Sequence, residues 1–238
     1  MIENKPTLAQ IQEGVAILID KPLNWSSFDA INKIKWSIRK VKIGHCGTLD
    51  PLATGLLICC TGKMTKQITT FQKQEKEYTG TFTIGATTST YDLESEPGNF
   101  SDYSSVTPEQ IRQTCTLFTG DIRQVPPIHS AIKQDGKPVY KLARAGKEVQ
   151  LEPRAVTIRE FEITNINLPV ITFRVVCSTG TYIRSLAHDF GQALGCGAYL
   201  SSLRRTRIGD VSVNDAWTVQ EWVDYIKAEK EKEPAIQS

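Results

Sequence analysis

The chain has 238 residues, 40% of them hydrophobic, enough to furnish a proper core, which excludes a disordered or fibrous protein. Its formal charge of +2, from 28 basic and 26 acidic residues, is too small to announce a nucleic-acid partner by bulk electrostatics, so any basic surface must be local. The six cysteines, Cys46, Cys59, Cys60, Cys115, Cys177 and Cys196, form no C-x-x-C and no Cys/His grouping of the kind zinc selects. We read them as reduced, mostly buried small hydrophobes and expect neither metal nor cofactor.

Residues 1–13 form a polar leader without the apolar stretch of a signal peptide, and no apolar run approaches the ~20 residues of a membrane span. A soluble cytoplasmic protein is expected. Val15 to Ile19 is a short apolar run closed by Asp20, Lys21 and Pro22, the pattern of a buried strand entering a turn. Ser26 with Asp29 three residues later is a helix-capping signature, and Phe28, Ile31, Ile34 and Ile38 follow at near-helical spacing. Lys33, Lys35, Arg39, Lys40 and Lys42 crowd this helix and its exit.

Gly44 to Gly55 is a glycine-punctuated loop, and Leu56 to Cys60 reads as another buried strand. Tyr78, Gly80, Phe82 and Ile84 alternate with threonines, the period-2 pattern of a half-buried strand that puts Tyr78 on the core face. Pro108 opens a helix through Phe118. Lys133, Lys137, Lys141, Arg144 and Lys147 face only Asp135 and Glu148 within one short segment, the local basic surface. Ile171, Phe173 and Val175 mark a strand, and a turn at Thr179 to Thr181 leads into a helix with Ile183, Leu186, Ala187 and Phe190 on one face. Tyr182, Arg184 and Ser185 fall off that stripe. Residues 218–238 read as a short charged tail.

A phosphate-binding loop at Gly55 to Thr65 fails, because six residues separate the glycines and Met64, not Ser or Thr, follows Lys63. An aspartyl phosphotransferase reading of Asp50 fails too, since no apolar strand leads into it. Asp50 followed by Pro51 is by itself an ordinary helix start. The string Gly44-His45-Cys46-Gly47-Thr48-Leu49-Asp50-Pro51-Leu52-Ala53-Thr54-Gly55 changes that balance. It resembles the signature of the TruB family, the bacterial tRNA pseudouridine-55 synthases. Asp20-Lys21-Pro22, Lys76-Glu77-Tyr78, Gly85 through Asp92, Val125-Pro126-Pro127 with Ser130-Ala131, Gly180-Thr181-Tyr182-Ile183-Arg184 and Leu203-Arg204-Arg205-Thr206 stand in the family's order.

The resemblance implies an α+β pseudouridine synthase fold, a mixed and mostly antiparallel central sheet flanked by helices and loops. It implies a catalytic domain over residues 14–217 with a basic RNA-gripping insertion at about 121–152. Asp50 becomes the catalytic carboxylate that detaches uracil from ribose and allows reattachment through carbon 5. Arg184 is implied to pair with Asp50, Tyr78 to stack on the uracil, His45, Tyr182 and Leu203 to contact substrate, and Lys21 to support the site. Lys133, Lys137, Lys141, Arg144 and Lys147 would grip phosphates. The implied partner is the T-arm of tRNA, bound by a monomer. Many bacterial members carry a further C-terminal RNA-binding domain, which the 21 residues after Trp217 are too few to form. An RNA-binding protein without catalysis, or an isomerase with another RNA target, are the alternatives.

Overall fold

The computed structural model describes residues 5–38, 40–128, 133–134, 137–138 and 151–232. Numbered in chain order, its elements are α1 (Leu8–Glu13), β1 (Ala16–Lys21), α2 (Ser27–Ile38), β2 (Ile43–His45), β3 (Ala53–Thr61), α3 (Ile68–Lys73) and β4 (Lys76–Ile84). Then come α4 (Pro108–Leu117), β5 (Gly120–Gln124), β6 (Lys133–Gln134), β7 (Lys137–Pro138), β8 (Arg154–Asn167), β9 (Val170–Cys177), α5 (Ile183–Ala193), β10 (Ala198–Ile208), β11 (Val211–Ser212), β12 (Trp217–Thr218) and α6 (Val219–Lys232). They group into two compact units, Met1–Glu77 with Arg204–Ser238, and Tyr78–Leu203.

In the first unit the strand order is β12-β1-β3-β10, with β2 beside β3 and β11 beside β10. β1 is antiparallel to β3, with Ile19 opposite Leu57 and Lys21 opposite Gly55, and parallel to β12. Ile17, Ile19, Leu57 and Cys59 pack with Ile11, Ile31, Ile34, Trp222 and Ile226, while Leu18, Leu56, Ile58 and Cys60 pack with Ile208 and Val213. Both faces of β1 and β3 are therefore covered, which is why these strands read as continuous apolar runs rather than alternating ones.

The strand at Val15 to Ile19 runs on through Asp20 and Lys21 instead of turning there, and β2 and the start of β3 take up both ends of the glycine-punctuated loop. Ser26 and Asp29 cap α2 reciprocally, Ser26 N donating to Asp29 Oδ2 at 2.9 Å and Asp29 N to Ser26 Oγ at 3.1 Å. Phe28, expected on the buried stripe, is 67% exposed, and Ser27 and Ala30 are buried in its place.

The polar leader and the charged tail each contribute a helix. Thr7 and Gln10 form a capping box on α1, which buries Leu8 and Ile11. α6 buries Val219, Trp222, Val223 and Ile226, and the Trp222 indole donates to the Leu18 carbonyl at 2.7 Å. Only the end of α6 is the solvated charged helix that the composition suggests.

In the second unit the order is β10-β4-β9-β8-β5, with β8 antiparallel to both neighbours. Its core is aromatic: Phe82 stacks on Phe173 at 4.1 Å between ring centroids, with Phe161 and Phe190 around them. The sheets are mixed and mostly antiparallel, the α+β class expected. β6 and β7 pair Lys133 with Pro138 and Gln134 with Lys137. The side chains of Lys133 and Lys137, and Lys141, Arg144 and Lys147 altogether, lie outside the described residues.

Candidate active site

Asp50 sits in the loop between β2 and β3, in the first unit. The backbone around it is held at each step. Buried Arg205, on β10, donates to the carbonyls of Gly47 at 3.2 Å, Thr48 at 3.5 Å and Leu56 at 2.8 Å. Buried Ser27 donates to the Leu49 carbonyl at 3.1 Å and accepts from the Leu49 amide at 2.8 Å. Ala53 N donates to the Asp50 carbonyl at 3.0 Å, and Asn24 N to that of Pro51 at 2.9 Å. The carbonyls from Gly47 to Pro51 thus each accept a hydrogen bond, so rearranging the loop that carries Asp50 would break several at once.

Gly55 closes this loop at φ +102°, and a Cβ there would meet the Arg205 carbonyl oxygen at 2.3 Å. A glycine is required on both counts: left-handed backbone and direct contact between strands.

Lys21 reaches the same loop from the end of β1. Its ammonium is completely buried and donates to the carbonyls of Trp25 at 2.6 Å, Pro22 at 2.8 Å and Pro51 at 3.4 Å, using the three donors that a charged lysine has. Burial pushes its pKa down to about 8, against the opposing pull of the Asp50 carboxylate. His45, half-buried on β2, is pressed below its ordinary value by burial and then by the Arg205 charge, so it is a neutral imidazole at neutral pH. Cys46 and Cys60 bring their thiols within 3.5 Å in the adjoining core, and all six cysteines are buried.

The second unit places four of the predicted residues. Tyr78 is buried on the core face of β4, Leu203 is half-buried on β10, and Tyr182 is the N-cap of α5. The buried Gln124 amide clamps the Tyr182 backbone from both sides, accepting from its amide at 2.8 Å and donating to its carbonyl at 3.0 Å. Arg184, expected off the apolar stripe, is nonetheless 3% exposed, because the first turns of α5 are buried on nearly every side. Buried Asp92 lies 3.7 Å from its Nε, and the Asp92 carboxylate also caps its own turn by accepting from Glu94 N at 3.0 Å. A buried guanidinium needs such carboxylate company.

Asp92, Arg205 and Ser27 are the participants missed in the sequence. Arg205 lies inside a quoted motif, but its role depends on carbonyls some 150 positions away, for which no local signal exists. Among the described residues there is no cluster of His, Cys, Asp and Glu that could hold a metal, and no helix long and apolar enough to cross a membrane.

Residues 35–183 match the N-terminal domain of TruB family pseudouridylate synthases, and residues 184–238 match the C-terminal domain of tRNA pseudouridylate synthase B. A tRNA pseudouridine synthase B of Flavobacterium johnsoniae is 57% identical over 211 residues, covering 86% of this chain and 92% of that protein. Among solved structures, a Cbf5-Nop10-Gar1 complex aligns with a TM-score of 0.75 at 32% identity over 95% of this chain. An H/ACA RNP bound to a substrate RNA containing 2'-deoxyuridine aligns at 0.72 and 30%, also over 95%. This chain spans 58% and 57% of those two chains.

Fold and loop together therefore define a pseudouridine synthase, the class of enzyme that re-attaches a uracil to its ribose through carbon. Within that class the chain belongs to the TruB family, whose members isomerise uridine to pseudouridine in tRNA.

Proposed function

We propose that this chain converts the uridine at position 55, in the T-arm of tRNA, to pseudouridine, acting as a monomer in the cytoplasm with Asp50 as its catalytic carboxylate. The observation that carries the reading is the clamped loop: a carboxylate between held carbonyls, with a buried ammonium nearby, is positioned before substrate arrives. Such a carboxylate can attack the anomeric carbon, take a sugar proton or stabilise a cationic sugar, as carboxylates do in glycoside hydrolysis. The bond from nitrogen 1 to the anomeric carbon breaks, and a carbon 5 to anomeric carbon bond forms. The hydrogen of carbon 5 leaves as a proton, and nitrogen 1 gains one. No electrons are exchanged.

In this reading Arg184 is the guanidinium that keeps Asp50 ionised, with Asp92 holding it in orientation, and Tyr78 offers its ring to the uracil. His45, as a neutral imidazole, and Tyr182 and Leu203 contact the extruded nucleotide, whose unstacking costs a few kcal/mol. Lys21 supports the Asp50 loop. Lys133, Lys137, Lys141, Arg144 and Lys147 grip phosphates.

The test is tritium release from carbon 5 of uridine in an unmodified tRNA transcript, followed by mapping of the modified position. Release by the wild type, none by Asp50→Asn, and a single product at position 55 are expected. RNA binding without release would overturn the catalytic reading, and release mapped to another position would overturn the target.

A further inference from the structure

The outward face of α2 carries more apolar surface than a solvated helix needs. Ala30, Ile31, Ile34 and Ile38 point into the core, yet Trp36 is 80% exposed and Phe28 67%. An exposed tryptophan within a wider recess marks a contact site. Trp36 does lie in one: a cavity of about 370 Å³ is lined by Asn24, Trp25, Asp29, Asn32, Lys33 and Trp36. A second cavity, of about 490 Å³, is lined by Asp20, Lys21, Trp25, Lys33, Thr54 and Arg204 among others. Trp25 and Lys33 border both. The two cavities thus make a continuous groove leading from Lys21, the neighbour of Asp50, along α2 to Trp36.

The charges along this groove favour an anion. The Asp20 carboxylate is occupied by Arg204 in a two-pronged pair at 2.9 and 2.7 Å, and that of Asp29 by the Ser26 cap. Lys33 has no ion-pair partner among the described residues, nor have Lys35, Lys40 and Lys42, which follow on the same helix and its exit. Between Phe28 and Trp36 the face is polar, with Asn32 and Lys33, so it lacks the unbroken apolar stripe that a protein helix would need. Unpaired cations interleaved with aromatic rings are instead how a nucleic-acid strand is held, phosphates on the cations and bases on the ring faces.

We infer that this groove is a second RNA-binding track, remote from the basic insertion. Lys33 takes the phosphates of the strand leading away from the target uridine, and Trp36 stacks an unpaired base some 14 Å of helix rise beyond the start of α2. The inference rests on the reading of the chain as a tRNA uridine isomerase.

The experiment uses the full chain as wild type, Trp36→Ala, Trp36→Phe and Lys33→Ala, with an unmodified tRNA transcript. Affinity is measured against salt concentration, and pseudouridine formation in single turnover at saturating RNA. Trp36→Ala should weaken binding about tenfold and Trp36→Phe should restore most of it, as loss and return of a stacking face predict. Lys33→Ala should lower the slope of log affinity against log salt by about 1. Saturating rates should match wild type. Wild-type affinity in Trp36→Ala, or an unchanged slope in Lys33→Ala, would overturn the track and leave the face to a protein partner. A wild-type chain that binds tRNA without forming pseudouridine would instead overturn the functional reading, whatever the variants bind.

Discussion

Lys21 is the residue on which burial and charge oppose each other most directly. Its folded pKa of about 8 lies below the ordinary lysine value of 10.5, because a buried ammonium loses its hydration. For stability the sign follows from proton uptake: the unfolded chain binds the proton more tightly, so folding carries a penalty below pH 8. That penalty is lifted as pH rises from about 8 to 10.5. Activity should move the other way, since a neutral amine lacks the third donor for its three carbonyl partners and no longer supports the Asp50 charge. We predict a fall in single-turnover rate centred near pH 8. In Lys21→Met the rate should be lower throughout and should lack this limb; a limb unchanged in that variant would assign it to another group. Asp50→Asn, in contrast, should lose about 10⁴-fold or more at every pH, as removal of a reacting group does. The loop carrying Asp50 stood out in the sequence because its whole string is distinctive. Ser27 was not, because it resembles any serine in a helix first turn until its hydroxyl is seen on both peptide groups of Leu49.

At the scale of elements, those with strong internal periodicity or a clear start signal were legible: β4, β9 and α5 from spacing, α2 from spacing and its Ser26/Asp29 cap, and α4 from the proline that opens it. The terminal helices were not, because glutamines in the short α1 and charges along α6 dominate the local composition. Yet the signal was present in Val219, Trp222, Val223 and Ile226, a 3-1-3 spacing that keeps one face apolar. Its weight is testable. Trp222 is 3% exposed and donates to Leu18, so Trp222→Ala should cost about 3–5 kcal/mol, read as a lowered midpoint of denaturant unfolding. A change within ±0.5 kcal/mol would return the segment to the status of a solvated tail. The join between β3 and β10 should be equally unforgiving. Gly55→Ala forces a Cβ to 2.3 Å from the Arg205 carbonyl at a positive φ, so either the strands part or Arg205 shifts off the Gly47 and Thr48 carbonyls. A loss of roughly 2 kcal/mol or more, with a lower rate at saturating RNA, is expected, measured as melting temperature and single-turnover kinetics on one preparation. Wild-type values in both would show that the clamp does not govern the loop.

Across the whole molecule, a net charge of +2 conceals strong local asymmetry. Lys133, Lys137, Lys141, Arg144 and Lys147 fall within fifteen residues that hold a single acid, Asp135, a density that bulk charge cannot reveal but the sequence shows at once. Cations of this kind hold phosphates, and phosphates carry no sequence information, so they should set affinity without setting the target. Replacing all five by alanine should therefore weaken binding of the cognate tRNA and of an unrelated structured RNA by the same factor. The slope of log affinity against log salt should fall by up to about 0.9 for each phosphate that is no longer neutralised. Because Asp50 and its clamps belong to other elements, the rate at saturating RNA should be unchanged. If the variant instead binds unrelated RNA normally and fails only on the cognate tRNA, the insertion reads shape or bases. Target choice would then reside there.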